Sequence, residues 1–514
     1  MNQSRPHGEA GAFRDGRPEA GPSGRHAGGS GGVVRPRPAQ ADAIVVGSGP
    51  NGLAAAVTLA RAGVSVHVIE GAATPGGGCR TEELTLPGFW HDVCSAVHPL
   101  AGASPFFTGT DLAARGVRLL TPKVAFAHPL DGGRAGAAFG SVEETAAALG
   151  ADGAAYRRLV EPLVREMPLT LPTILGPLRK VPEHPLAMAR YGLPGLLPAS
   201  VLAGRFRGDE AKVLVAGTAA HAMRPLTAPL TSAFGTLFLM TAHTVGWPVV
   251  EGGSARIIDA LVDELTSLGS RVETGRWVET LDSLPRAKAV LLDVTPRQFL
   301  ALAGGRLGRR ERQALQRFRY GPGVCKVDWA LSGPVPWDAA ACRDAGTVHV
   351  GGTFAEVARS ESDVAAGRHP ESPFCLVTQA GVVDPSRAPD GKQTLWGYCH
   401  VPSGSTVDMS DRIEAQIERF APGFRDLILA RSVRTAAEME RYNPNDVGGD
   451  VGGGEATLRQ TFFRPTVRWN QYRSGLPGVY LCSSSTPPGG GVHGMCGSWA
   501  AQTALADLGV KLPA

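Results

Sequence analysis

The run from Ala43 to Glu70 constrains the fold more than any other part of the chain. Ala43 to Val46 is a short apolar stretch, as expected of a parallel strand buried on both faces. Gly47, Gly49 and Gly52 then form G-x-G-x-x-G at a strand-to-helix turn. The first glycine permits the tight turn, the second lets backbone approach a pyrophosphate, and the third packs helix against strand. Asn51 to Arg61 is rich in alanine and leucine and reads as a helix. Pro50 and Asn51, at its start, join the glycines as candidate cofactor contacts, because a helix N-terminus favours phosphate. Val64 to Ile69 reads as a second strand. Glu70 follows 18 residues after Gly52, where a carboxylate can accept ribose hydroxyls. Strand, turn, helix, strand and acid together predict a bound dinucleotide.

At 514 residues the chain exceeds what one core supports, so two connected domains are expected. A hydrophobic fraction of 43% and a charged fraction of 19% allow a sizeable core. A net charge of +4 is too small to point to nucleic acid. Residues 1–40 are rich in Gly, Pro, Ser and Arg, with almost no large apolar residue, and read as a disordered tail. They contain no apolar h-region and no twin-arginine pair, so a secretory signal is not expected. The eight cysteines form no C-x-x-C, which argues against a dithiol, a zinc site and a disulfide scaffold. Reduced thiols in a cytoplasmic protein, with no metal, are the expectation. No apolar run reaches the ~18 residues of a membrane span.

After Glu70 an NAD enzyme would continue into another strand-helix repeat. Here a second glycine cluster, Gly76, Gly77 and Gly78, follows at once, then Arg80, Thr81 and Gly88-Phe-Trp-His-Asp92. Backbone without side chains can lie against a pyrophosphate, and Arg80 could neutralise its charge; a plain flexible loop is the alternative. The order G-x-G-x-x-G, terminal Glu, G-G cluster, Thr and G-F-x-x-D resembles the phytoene desaturase-related branch of FAD-dependent oxidoreductases. That branch holds carotenoid desaturases, carotenoid isomerases and retinol saturase, and is more distantly similar to flavin amine oxidases. Many relatives carry Arg directly after the G-G pair; here Gly78 stands there and arginine arrives only at Arg80.

The resemblance implies an α/β protein, in which a Rossmann-like FAD-binding domain carries an inserted mixed α+β substrate domain. The corresponding division gives FAD-binding segments at 41–130, 244–304 and 461–514. Substrate-domain segments fall at 131–243, as a helical cap, and 305–460. Within 168–198 seven prolines are expected to break long helices into short pieces. Such apolar, broken structure suits a substrate cap, a tunnel mouth, a shallow membrane-surface contact or ordinary packing. His221 and His243 read as satisfied core histidines. The resemblance places Val278 against the adenine through its backbone. Lys326, on an apolar strand, matches a lysine that in many flavin amine oxidases holds a water at flavin N5; a solvent-facing strand lysine is the other reading. Leu395 to Pro402 reads as an alternating strand whose aromatics and His400 can line a pocket. Asp446 and Asp450 read as acids of a solvated, turn-forming loop.

Near the C-terminus, Gly489, Gly491 and Gly494 make a second G-x-G-x-x-G. Too little chain follows for a second strand and ribose acid, so a complete second dinucleotide site is excluded there. The resemblance assigns Gly489, Gly490, Gly491, Val492, His493, Gly494 and Met495 to a closing flavin motif. There a helix N-terminus faces the ring edge that gathers negative charge on reduction. Ser48 to Leu53 and Gly491 to Met495 resemble a branch named for a pyridine nucleotide-disulfide oxidoreductase domain, although no C-x-x-C supports dithiol chemistry. The implied activity is hydride transfer from a mainly apolar small molecule to FAD, with O2 or a quinone as acceptor. The alternatives are a carotenoid-type C=C isomerase using reduced FAD, or a lipid- or prenyl-binding carrier without flavin.

Overall fold

The computed structural model describes residues 41–511, so the expected tail over 1–40 lies outside the described residues. Five short strands form a parallel sheet in the spatial order Val479–Leu481, Ala289–Leu292, Ala43–Val46, Val66–Ile69 and Arg271–Glu273. Ala43 stands in register with Ala289 on one side and Val66 on the other. The three central strands read AIVV, VHVI and AVLL. Near-continuous apolar runs are what a sheet covered on both faces requires. Because its strands come from three distant parts of the chain, this sheet cannot close until the C-terminal segment arrives.

The second sheet has seven strands, in the order Ile428–Arg434, Gly323–Leu331, Gln393–Val401, Cys375–Thr378, Ala345–Val350, Val124–Leu130 and Arg134–Phe139. All neighbours are antiparallel except Ala345–Val350 with Val124–Leu130. Alternation sorts its side chains. Val327, Trp329, Val348, Val377, Leu395 and Cys399 point into one core, which Ile413, Ile417 and Phe420 of the helix Ser410–Phe420 complete. The residues between them, on the opposite face, carry most of the sheet's polar groups. All eight cysteines are free thiols.

Two expectations change. The first segment was expected to run to residue 130, yet Val124–Leu130 pairs in the seven-stranded sheet, so the chain crosses over before residue 124. The prolines also do not shorten every helix. Gly153–Ile174 runs for 22 residues with Pro162, Pro168 and Pro172 inside it. Those prolines lie on its half-buried or exposed side, where a carbonyl deprived of its partner can reach water. Tyr156, Val160, Leu163, Met167 and Leu171 form a buried stripe at helical spacing on the other side, and that burial holds the helix together.

Helices Pro50–Arg61 and Met495–Leu508 meet at their first turns. A Cβ on Gly497 would stand 1.8 Å from the Asn51 carbonyl oxygen, so backbone touches backbone. Gly497→Ala is therefore expected to separate the two helices at a cost of about 1–3 kcal/mol or more. A urea unfolding midpoint equal to the wild type would show that the contact has slack.

Candidate functional site: a dinucleotide cleft opening into an aromatic chamber

A cavity of about 750 Å³ runs from the edge of the parallel sheet to the polar face of the seven-stranded sheet. Its first half is built on the opening strand-turn-helix. The Gly47 N–H donates to Ile69 O at 2.8 Å, and Gly47 takes φ +99, which glycine adopts without a Cβ penalty. A Cβ on Gly52 would stand 2.2 Å from Gly47 O, and one on Gly77 would stand 3.0 Å from the Gly49 Cα. The two glycine loops thus lie against each other, and Gly47, Gly49, Pro50, Asn51, Gly77 and Gly78 line the cleft.

Glu70 lines it too. Its Oε2 accepts from the Ser48 N–H at 2.8 Å and the Ser48 hydroxyl at 2.6 Å, and its Oε1 accepts from Ala72 N at 2.8 Å. Oε2 is thereby filled while Oε1 keeps a lone pair, so the acid braces the turn while remaining able to accept a sugar hydroxyl. Arg80 donates to Thr74 O at 2.8 Å and Gly77 O at 3.3 Å. It also lies over the Tyr442 ring at 5.6 Å, and its Nε has no partner. The glycine cluster is thus folded around this arginine rather than hanging as a flexible loop. Val278 lines the cleft beside Trp277, whose indole covers Gly71.

At the C-terminus, Gly491 and Val492 reach the cavity wall. Met495 N donates to His493 Nδ1 at 3.0 Å, leaving the His493 Nε2–H to bond Gly489 O at 3.1 Å. Burial pushes His493 down to about 4, so this neutral ring braces the loop across the helix N-terminus. Gly490 packs on Gly452 O, Gly489 on the Arg464 guanidinium, and Gly494 on Phe106 and Ala54. Met495 enters the core. These four, with His493, Gly52 and Gly76, shape the cavity from behind rather than line it. Thr81 also lies behind the wall; its hydroxyl bonds Asp92 at 2.8 Å and accepts from Ala255 N at 3.1 Å.

The second half is a chamber walled by Thr347, Leu376, Thr378, Trp396 and Tyr398 from the sheet, and by His221, Phe238 and Trp247 opposite. His400 does not reach it; its Nδ1 bonds Glu361 at 2.9 Å, both fully buried. Lys326 does not face solvent. It is buried against Asp328, 5.6 Å from the Trp396 ring and beside Tyr398 on the same face, without itself lining the cavity. Burial pulls its pKa down, while Asp328 opposes that shift.

His243 is satisfied by Tyr156 at 2.6 Å and Phe139 O at 3.0 Å, as expected. His221 instead lines the chamber, as no local pattern signalled. The loop acids are not solvated. The Asp450 carboxylate accepts from Gly321, Gly452 and Gly454 N–H at 2.7, 2.8 and 2.8 Å, so it folds the loop inward around itself. Asp446 lines the cavity, and burial, reinforced by the Asp450 charge, lifts its pKa well above the carboxylate range.

Asp293, directly after Ala289–Leu292, lines the cavity and has no role in the sequence reading. Its Oδ2 accepts from Gly52 N at 2.9 Å. Burial lifts it to about 7; the Gly52 N–H opposes this, and the Glu70 charge adds to it. A carboxyl raised from 3.8 to about 7 on folding binds a proton the unfolded chain has released. Stability therefore falls as pH rises through that window and levels off above it. Asp293→Asn, which keeps an acceptor for Gly52 N, is expected to be isostable near pH 4. Above pH 7 it should be more stable, by up to about 4 kcal/mol. Urea midpoints that differ equally at pH 4, 6 and 8 would refute this.

Residues 45–107 match the family of NAD(P)-binding Rossmann-like domains. The chain is 26% identical to mouse pyridine nucleotide-disulfide oxidoreductase domain-containing protein 2, over 91% of this chain and 94% of that protein. It is 27% identical to a hydroxyneurosporene desaturase of Cereibacter sphaeroides, over 90% and 97% of the two chains. Cyclohexylamine oxidase from Brevibacterium oxydans IH-35A superposes with a TM-score of 0.55 at 16% identity, covering 91% of this chain and all of the other, and so shares the fold. With the doubled glycine cleft and the discontinuous parallel sheet, these matches make the chain similar to the phytoene desaturase-related FAD-dependent oxidoreductases.

Proposed function

We propose that the cleft holds FAD and that the adjoining chamber presents the C–H bond of a mainly apolar small molecule to it, for desaturation or a related oxidation. The observation that carries this reading is the continuity of one cavity. Both glycine turns and Glu70 stand at one end, and Trp396, Tyr398, Phe238 and Trp247 at the other. The flavin, when bound, supplies the hydride-accepting chemistry. The chain's own part is to bind, orient and exclude water. Glu70 accepts a ribose hydroxyl, the backbone at Gly47, Gly49, Gly77 and Gly78 admits the pyrophosphate closely, and Val278 borders the adenine. Gly491 and Val492, ahead of the last helix, meet the ring edge where charge collects.

Lys326, buried beside its cross-strand neighbour Tyr398 on the same sheet face, is suited to supporting charge in the chamber. Among the described residues no second strand-turn-helix with a ribose acid exists, which supports O2 or a quinone as electron acceptor.

The segment around the cap favours contact with a lipid surface. Val181, Leu186 and Leu193 are 89%, 83% and 67% exposed, and Trp469 is 85% exposed with Arg179 over its ring at 5.3 Å. Apolar side chains interleaved with cations suit an interface with anionic lipid, from which an apolar substrate can enter. No helix among the described residues is long and apolar enough to cross a membrane.

The purified protein is expected to show an oxidised-flavin spectrum that dithionite bleaches and air or a quinone restores. Lys326→Met should keep the bands and slow the return at least tenfold. A protein that stays colourless with added FAD would refute the redox reading. In vesicle flotation, the chain should bind liposomes containing anionic lipid, and Leu186→Glu with Leu193→Glu should abolish that binding; equal flotation of both would remove the membrane contact.

A further inference from the structure

The chamber wall is aromatic and aliphatic except at a few buried polar points, and those points show a pattern. Thr347, Thr378 and Trp396 stand side by side on three neighbouring strands, Thr347 paired with Thr378 and Thr378 with Trp396. All three are more than nine-tenths buried and line the cavity. Their Thr347 Oγ1, Thr378 Oγ1 and Trp396 Nε1 atoms find no hydrogen-bond partner among the described residues. Buried polar groups without partners are rare, and each is costly.

Two residues along from Thr347, and so on the same face, stands His349. Its Nε2 lies 3.0 Å from the Nε2 of His221. One of these nitrogens must carry a proton and the other must not. The His349 Nδ1 is buried without a partner. A buried bare lone pair costs less than a buried unmatched N–H, so the His349 proton resides on Nε2 and is donated to His221. The His221 Nε2 then accepts, and its own proton is on Nδ1, the ring atom left for the chamber.

The ring is held in place by Phe238 at 4.6 Å and Trp247 at 5.5 Å. Burial pushes His221 down to about 3 and His349 well below the ordinary range. The nearby His400 is held by Glu361. Near neutral pH the chamber therefore presents an uncharged imidazole N–H in a fixed direction.

We infer that the substrate carries a carbonyl or hydroxyl oxygen, which accepts a hydrogen bond from His221 Nδ1–H, and that the polar row Thr347, Thr378 and Trp396 gives the chamber its preference for an oxygenated apolar molecule over the corresponding hydrocarbon. This inference rests on the reading of the chamber as the substrate site. A hydrocarbon leaves every one of these groups unpaired, and a site built to hydrogen-bond an oxygen discriminates against the analogue lacking it. His221 is thus a specificity-determining residue, with His349 positioning it.

The test uses three probes of one carbon skeleton: farnesal, farnesol and β-farnesene. Each is titrated into the full-length protein while the fluorescence of its tryptophans, two of which stand in the chamber wall, is followed. The wild type is expected to prefer the aldehyde or alcohol over the hydrocarbon by at least about tenfold, the scale of one hydrogen bond. His221→Phe should bring the ratio below about threefold by weakening the oxygenated probes alone. Equal binding of the three probes by the wild type, no binding of any, or an unchanged ratio in H221F would overturn the inference. A second measurement needs no variant to fold for its main result. Long-range 1H–15N spectra of the histidine-labelled wild type, with His221→Gln used for assignment where it folds, should show an Nδ1–H imidazole that stays neutral down to pH 5. If instead His349 carries its proton on Nδ1 and His221 carries its proton on Nε2, the argument fails. The two readings separate cleanly. If the protein never takes up FAD but keeps the oxygen preference, the redox reading fails and this one stands. If FAD binds and the chamber does not discriminate, this one fails alone.

Discussion

The contact on which the rest depends is the meeting of two helix N-termini, at Asn51 and Gly497. It joins the beginning of the chain to its end without an intervening side chain. Because the helices begin side by side, the positive ends of their peptide dipoles converge at one end of the cavity. The same contact completes the parallel sheet, since Val479–Leu481 must dock beside Ala289–Leu292 for the last helix to reach Asn51. A dinucleotide cleft of this kind therefore cannot be assembled from the N-terminal segment alone.

The second organising constraint is the two-sidedness of the seven-stranded sheet. One face packs into an apolar core under Ser410–Phe420. The other carries Thr347, His349, Thr378, Trp396, Tyr398, Lys326 and Asp328 toward the cavity. Buried charges there are paired, as Lys326 is with Asp328 and Arg387 with Asp92 and Asp384. Burial favours the neutral forms of His221, His349 and Asp446. A chamber that is largely apolar, polar at chosen points and low in net charge suits the handling of an apolar molecule.

Much of the parallel sheet was legible because its central strands are short, mainly apolar runs next to their own punctuation. Gly47, Gly49, Gly52 and Glu70 lie within one local unit, and local spacing carries their geometry. The Gly76–Gly78 cluster was legible as a loop, but its firmness was not, since Arg80 reaches back to Thr74 and across to Tyr442. The long helix containing Pro162, Pro168 and Pro172 shows the same limit from the other side. Proline's local penalty is visible in the sequence; the buried stripe that outweighs it is visible only when its partners are known. Asp446 and Asp450 looked like solvated loop acids because their neighbours are glycines and asparagines, yet those same glycine N–H groups are what Asp450 binds.

The sequence by itself determined that a dinucleotide unit opens the chain and that a matching glycine loop ends it, because both signals are carried by backbone requirements within a few residues. It also determined the apolar alternation that builds the second sheet. Only the tertiary structure decided which face of that sheet became the chamber, that Lys326 and Asp293 are buried, and that His221 stands at the wall with its proton directed by His349. Those outcomes depend on pairings between residues more than a hundred positions apart, as between His221 and His349. Burial and hydrogen-bond direction are properties of such pairings, and no local spacing encodes them.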